Sequence, residues 1–144
     1  MTTGPDGRVI YSYLCIGCPL GCRLELDESA TGEMLEVRGN SCKKGAEFAR
    51  QEHIDPRRVV TTTVAVEGAT WPRLPVKTTG SVPKALVRGV CHELAQLRMH
   101  APVTAGDIVV ADVLGTGTDV VATRSMPAVA PEAATRVPRG DLRP

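Results

Sequence analysis

Aromatic residues are scarce in this chain: 144 residues hold one Trp, two Tyr and one Phe. A core built on packed rings is therefore excluded, and burial has to come from Val, Leu, Ile and Ala within a hydrophobic fraction of 42%. Long apolar runs are missing too. None approaches the ~20 residues of a membrane-crossing helix, and no signal peptide opens the chain, so direct membrane insertion is not expected. Neither sign of charge dominates, since 17 Lys and Arg stand against 16 Asp and Glu for a formal net charge of +1. That balance points away from nucleic acid and from anionic membrane surfaces. Catalytic motifs are absent as well: there is no Ser–His–Asp arrangement with its local motifs, no evident carboxylate pair and no nucleotide fingerprint. The stretch Gly115-Thr116-Gly117-Thr118 lacks the spacing of a phosphate loop, and no helical pattern follows to offer its N-terminus, so a plain turn is expected.

What is present in excess is cysteine, concentrated at one end. Cys15, Cys18 and Cys22 lie in the run C-I-G-C-P-L-G-C, and Cys42 follows after nineteen residues in C-K-K-G. One loop presenting three sulfurs, joined by a fourth from a distance, can surround a single metal centre from two sides. Gly17 and Gly21 sit between the thiols, where the backbone has to turn and φ has to become positive. Pro19 stiffens the loop by fixing φ. Four thiolates suit tetrahedral zinc or an iron–sulfur cluster. Structural zinc sites pair their thiols as two C-x₂₋₄-C knuckles, whereas the three-plus-one pattern here favours the four corners of a [4Fe–4S] cluster. Zinc stays open as the alternative, and so does a set of unligated thiols filling a core. With five cysteines in all and no secretion signal, a reducing cytoplasm is expected, where metal binding is favoured over disulfides.

These residues also carry a family resemblance. Cys15-x₂-Cys18-x₃-Cys22, then Glu33 to Asn40, then Cys42-x-Lys44-Gly45 resembles the N-terminal [4Fe–4S] module of molybdopterin oxidoreductases, and His53-Ile54-Asp55-Pro56-Arg57-Arg58 is similar to the exit from that module. Over residues 10–124 the chain resembles DUF1667, a small bacterial and archaeal family with four characteristic cysteines. The matching later segments include Pro75-Val76-Lys77-Thr78, Val82-Pro83-Lys84, Ala101-Pro102-Val103 and Gly106-Asp107 through Arg124. The resemblance implies that Cys15, Cys18, Cys22 and Cys42 hold a cluster. It also implies that Lys44 lies beside it, where the matching lysine of molybdopterin enzymes stands between cluster and pterin. A partner is implied too, because such proteins tend to be encoded near FAD-dependent dehydrogenases of the glycerol-3-phosphate type.

Taken in order, the chain predicts an α+β fold: a small cysteine-rich metal-binding subdomain over residues 8–54, a β-rich subdomain with one long helix over 55–124, and a disordered or extended tail over 125–144. Arg8–Leu14 has strand composition, Leu24 and Leu26 alternate with Glu25 and Asp27, and Met34–Arg38 returns as the second arm of a hairpin that brings Cys42 back. Lys44–His53 reads as a short helix with Ala46, Ala49 and Phe48 facing inward. Asp55-Pro56-Arg57-Arg58 marks a boundary. Two strands follow, Val59–Val66 and Leu74–Thr78, with Trp71 between them expected as a packed lid. Val82–Met99 is predicted as the long helix, with Pro83 in its first turn and Leu86, Val90, Leu94 and Leu97 in one stripe, interrupted by Gly89 at about 1 kcal/mol. Cys91 reads as a small buried hydrophobe, and His92 and His100 as surface residues. Asp107–Leu114 and Asp119–Thr123 are expected as a hairpin, and Ser125–Pro144, without periodicity, as the tail.

The basic run Arg38, Lys43, Lys44, Arg50, Arg57 and Arg58 surrounds Cys42 in sequence. It suits stabilisation of an anionic cluster, or an ordinary solvated face given the interspersed Glu47, Glu52 and Asp55. A cluster with no second cofactor site passes electrons one at a time. The expected role is therefore a non-catalytic iron–sulfur electron-transfer or accessory subunit, and the resemblance implies that it serves a FAD-dependent oxidoreductase. The rival is a zinc-stabilised interaction module without redox function.

Overall fold

The computed structural model describes residues 2–3 and 7–129. The fold is α+β, and the chain divides into two compact units, residues 1–57 and 58–144.

In the first unit, β1 (Val9–Leu14), β2 (Arg23–Glu28) and β3 (Met34–Arg38) form an antiparallel meander, with Thr2–Thr3 paired on the outer edge of β1. The register sets Tyr11 opposite Leu26 and Tyr13 opposite Leu24, so one face of the sheet is apolar. Helix α1 (Lys43–Ile54) covers that face, burying Gly45 and Ala49 and resting Phe48 on Leu24 and Leu26. Ala46, expected inward, is only part-buried. At the far end of α1, His53 Nδ1 lies 2.8 Å from the Tyr13 hydroxyl and Nε2 lies 2.5 Å from a Glu28 carboxylate oxygen. The opposite sheet face is charged. Its alternation has one exception, because Asp27 is only 4% exposed. Arg38 explains this: its guanidinium donates to both Asp27 oxygens, at 2.5 and 2.8 Å, and reaches Glu25 and Glu36 as well.

In the second unit, β4 (Thr61–Glu67), β5 (Arg73–Thr78), β6 (Arg98–His100), β7 (Ile108–Val110) and β8 (Val120–Ala122) form one sheet in the order β7–β8–β5–β4–β6. All pairings are antiparallel except that of β4 with β6. Val64, Val66, Leu74, Val76 and Val120 bury one face of it under α2 (Val87–Gln96), which contributes Val90 and Leu94.

The long helix is shorter than the sequence suggests. Val82–Pro83 is extended, Lys84–Leu86 is a 3₁₀ turn, and only the ten residues of α2 are α-helical. Pro83 at ψ 133° stands outside the helix rather than in its first turn. Leu97 at ψ 145° ends it, because Arg98–His100 satisfies its backbone on the edge of β4 instead. Gly89 has a packing reason: a Cβ there would stand 3.0 Å from Leu114 Cδ1.

Trp71 is 52% exposed and is not a lid; Ala69 takes the inward position of its loop. The segment expected as tail begins inside the fold. Met126 is 3% exposed and pairs with Val103, and Ala128 pairs with Ala69. Residues 130–144 lie outside the described residues.

Candidate metal centre

Cys15 follows the last residue of β1 and Cys22 precedes the first of β2, so the cysteine run is the connection of a hairpin. The Cys15 N–H donates to the Cys22 carbonyl at 2.9 Å and closes the loop at its root. Gly21 supplies the left-handed residue, at φ +58°. Gly17, expected to need the same freedom, has no positive φ. Cys15 is buried, Cys22 half-buried and Cys18 exposed.

The fourth thiol arrives through Gly39. At φ +79°, Gly39 runs so close to β2 that a Cβ would stand 2.1 Å from the Arg23 carbonyl oxygen. The turn lays Ser41 against Cys22, with Oγ 3.4 Å from Sγ. That hydroxyl, helped by the Ser41 backbone, holds the Cys22 thiol below its ordinary pKa and favours the thiolate. Cys42 is the N-cap residue of α1, in extended conformation, with its carbonyl accepting from Gly45 N–H and from the Asn40 side chain. It is exposed.

Cys15, Cys22 and Cys42 are thus brought to one end of the first unit. Their sulfurs do not gather on a point: among the described residues, no three His, Cys, Asp or Glu side chains are grouped so as to hold a metal ion. The chemistry of the donor set nonetheless fits a thiolate-held group. All five cysteines are free thiols, four of them lie on this loop and its return, and residues 14–23 and 39–46 contain no carboxylate or imidazole to compete. Exposed Cys18 and Cys42 have open space in which to change rotamer. Cys91 is separate, part-buried on α2 against the apolar core of the second unit.

Of the basic run, Arg38 is committed to Asp27 and Arg57 to Asp55. Lys43 and Lys44, in the first turn of α1, are exposed. His92 and His100 lie on the surface. The Gly115–Thr118 stretch is a turn with its first three amides already occupied: Gly115 N–H donates to the Asp112 carbonyl at 3.0 Å, Thr116 N–H to the Val113 carbonyl at 3.2 Å, and Gly117 N–H to the Asp112 carboxylate at 2.6 Å. Gly39 and Ser41 were not apparent in the sequence as site residues. The Gly39-Asn40 turn pair was the available signal for the first, and nothing marked the second.

Fold and donors together define a small α+β protein with a cysteine hairpin at one end. Residues 43–124 match the family described as "Protein of unknown function (DUF1667)", more than half of the chain, and the chain belongs to that family. The match begins one residue after Cys42, so Cys15, Cys18, Cys22 and Cys42 lie outside it and Cys91 inside. One solved structure is similar, the NMR structure of Clostridium perfringens protein CPE0013. It is 24% identical and has a TM-score of 0.47, and the likeness covers 51% of this chain and 88% of that one. No curated protein matches. Among the described residues, no helix is long and apolar enough to cross a membrane.

Proposed function

We propose that this protein is an iron–sulfur electron-transfer or accessory subunit of a FAD-dependent oxidoreductase of the glycerol-3-phosphate dehydrogenase type. In this reading Cys15, Cys18, Cys22 and Cys42 hold a [4Fe–4S] cluster, as in the N-terminal modules of molybdopterin oxidoreductases. The observation that carries it is the three-plus-one thiol set placed at one end of the first unit by the Cys15–Cys22 closure and the Ser41–Cys22 contact. Such a cluster supplies single-electron transfer when bound. The chain's own contribution is to present donors and surface. Ser41 favours the Cys22 thiolate. Lys43 and Lys44 put positive charge next to Cys42, which favours the more anionic state of any group held there.

The surface around the thiols supports docking to a protein. Leu14, Ile16 and Leu20 are 61%, 62% and 75% exposed, and three large aliphatic side chains on one loop and the strand end that leads into it suit a protein interface better than open water. The flavoprotein class of the partner rests on the family resemblance. Free thiols throughout suit the reducing cytoplasm. Zinc is the second reading. Among the described residues, the first unit buries only Cys15, Leu24, Leu26 and Ala49 as its apolar core, and a structural metal suits so small a cluster.

The functional test is anaerobic mixing of the iron-loaded protein with the FAD-dependent dehydrogenase encoded nearby, reduced by its substrate. Reduction of the cluster is expected, abolished by Cys42→Ser. It should weaken on paired Lys44→Glu and Arg50→Glu, most clearly at low salt. A flavin that becomes reduced while the cluster stays oxidised, with no complex formed, overturns the proposal.

A further inference from the structure

Helix α1 carries the fourth thiol at its N-terminal boundary, so the seat of the helix decides where Cys42 stands. Two contacts seat it. Near Cys42, Gly45 lies over β2, where a Cβ would stand 3.6 Å from Leu24 Cδ2 and 3.0 Å from Asn40 Cβ. At the other end, the His53 ring is held between Tyr13 on β1 and Glu28 at the end of β2. Tyr11 meets the ring edge-on, with centroids 4.6 Å apart. An ionised Glu28 carboxylate can only accept, so His53 Nε2–H donates to it and Nδ1 accepts the Tyr13 O–H. Both seats rest on one cross-strand pair, because Tyr13 stands opposite Leu24 in the register.

We infer that Tyr13, His53 and Glu28 form a latch that fixes α1 on the sheet and thereby holds Cys42 within reach of Cys22. None of the three is a proposed ligand; they are positioning residues. Tyr13 lies two residues before Cys15, on the strand that leads into it, so the latch ties the helix capped by the fourth thiol to the strand that delivers the first. A helix of 12 residues, about 18 Å long, carries a tilt at His53 through to its N-cap. Ligand shells tolerate only about 0.5 Å of misplacement, so loss of such support weakens metal binding without removing a donor.

The consequence for metal rests on the four-thiolate reading, whereas the latch itself can be tested without metal. In the full chain, Cys15→Ala, Cys18→Ser and Cys91→Ala leave Cys22 and Cys42 as the only thiols. Equilibration of this metal-free background in glutathione redox buffers gives the effective concentration of Cys42 at Cys22, read as the disulfide fraction by alkylation and mass spectrometry. Tyr13→Phe removes one hydroxyl and Glu28→Gln one charge, so both keep the packing should His53→Ala fail to fold. Each is expected to lower the effective concentration about three- to tenfold. Leu94→Val, a destabilising control in the second unit, should leave it unchanged. An unchanged value in Tyr13→Phe and Glu28→Gln, or an equal fall in the control, overturns the latch.

Cobalt(II) titration of the chain with all its cysteines then reads the consequence. Binding through a thiolate charge-transfer band is expected to weaken about 10- to 100-fold in Tyr13→Phe. No cobalt binding by the unsubstituted chain overturns the metal reading, and the disulfide equilibrium still decides the latch.

Discussion

Among the described residues, fourteen buried apolar side chains from sheet, helix and loops form one cluster in the second unit, whereas in the first only Cys15, Leu24, Leu26 and Ala49 are buried to that degree. One of those four is itself a proposed ligand. The first unit makes up the difference with polar order: Arg38 on Asp27, His53 between Tyr13 and Glu28, and Ser41 against Cys22. A domain with a full apolar core can keep its fold and its site separate. A domain with a small core has to let the site contribute to the fold. The difference predicts that metal alters the stability of the first unit and not of the second.

The largest effect should come from the cores. Leu94→Ala in the second unit is expected to cost about 2–5 kcal/mol, the same with and without metal, in urea unfolding followed by residue-resolved NMR. Leu24→Ala should cost about as much in the metal-free first unit and be partly restored by metal, because bound metal stabilises the folded state by mass action. Equal response of both variants to metal would erase the contrast.

Gly39→Ala should follow closely. Its left-handed backbone costs a Cβ-bearing residue about 1–2 kcal/mol, and the Arg23 carbonyl blocks the Cβ outright. We expect at least about 2 kcal/mol lost from the first unit and reduced metal uptake, read by metal content per folded chain.

Acid should then separate the units. Arg38 hydrogen bonds hold the Asp27 carboxyl below its usual pKa. The stabilisation is therefore present above the unfolded-state value, near pH 4, and is lost as pH falls through the lower folded-state value. The first unit should lose stability below about pH 4 ahead of the second, and Asp27→Asn should flatten that dependence. Urea midpoints from pH 6 to pH 2 provide the check.

The smallest effect belongs to the fifth cysteine. Cys91→Ala removes one part-buried sulfur from the second unit. It is expected to cost about 1 kcal/mol or less, with metal content unchanged.

The same contrast explains what the sequence showed and what it hid. In the first unit, strict alternation at Leu24 and Leu26 and the return of Met34–Arg38 made the meander readable, because a half-buried strand has a period of two. In the second, Leu97 continues the helical stripe of Leu86, Val90 and Leu94, so the expected helix runs on to Met99. Only the open edge of β4, a tertiary partner, turns Arg98–His100 into a strand. Met126 looked like tail because composition registers Pro and Ala, not the Val103 backbone with which it pairs. At the site, thiol spacing was legible, since a loop of three donors is local. Ser41 and Cys22 are 19 positions apart and Tyr13 and His53 are 40 apart; they meet through strand register and helix placement, which no local pattern records.

The central claim, that the first unit is organised around a thiolate-held cluster, is met most directly by metal analysis of the full chain purified without oxygen. Iron and acid-labile sulfide at about four each per chain are predicted, lost in Cys42→Ser and retained in Cys91→Ala. Stoichiometric zinc without iron, or iron that survives Cys42→Ser undiminished, would contradict it.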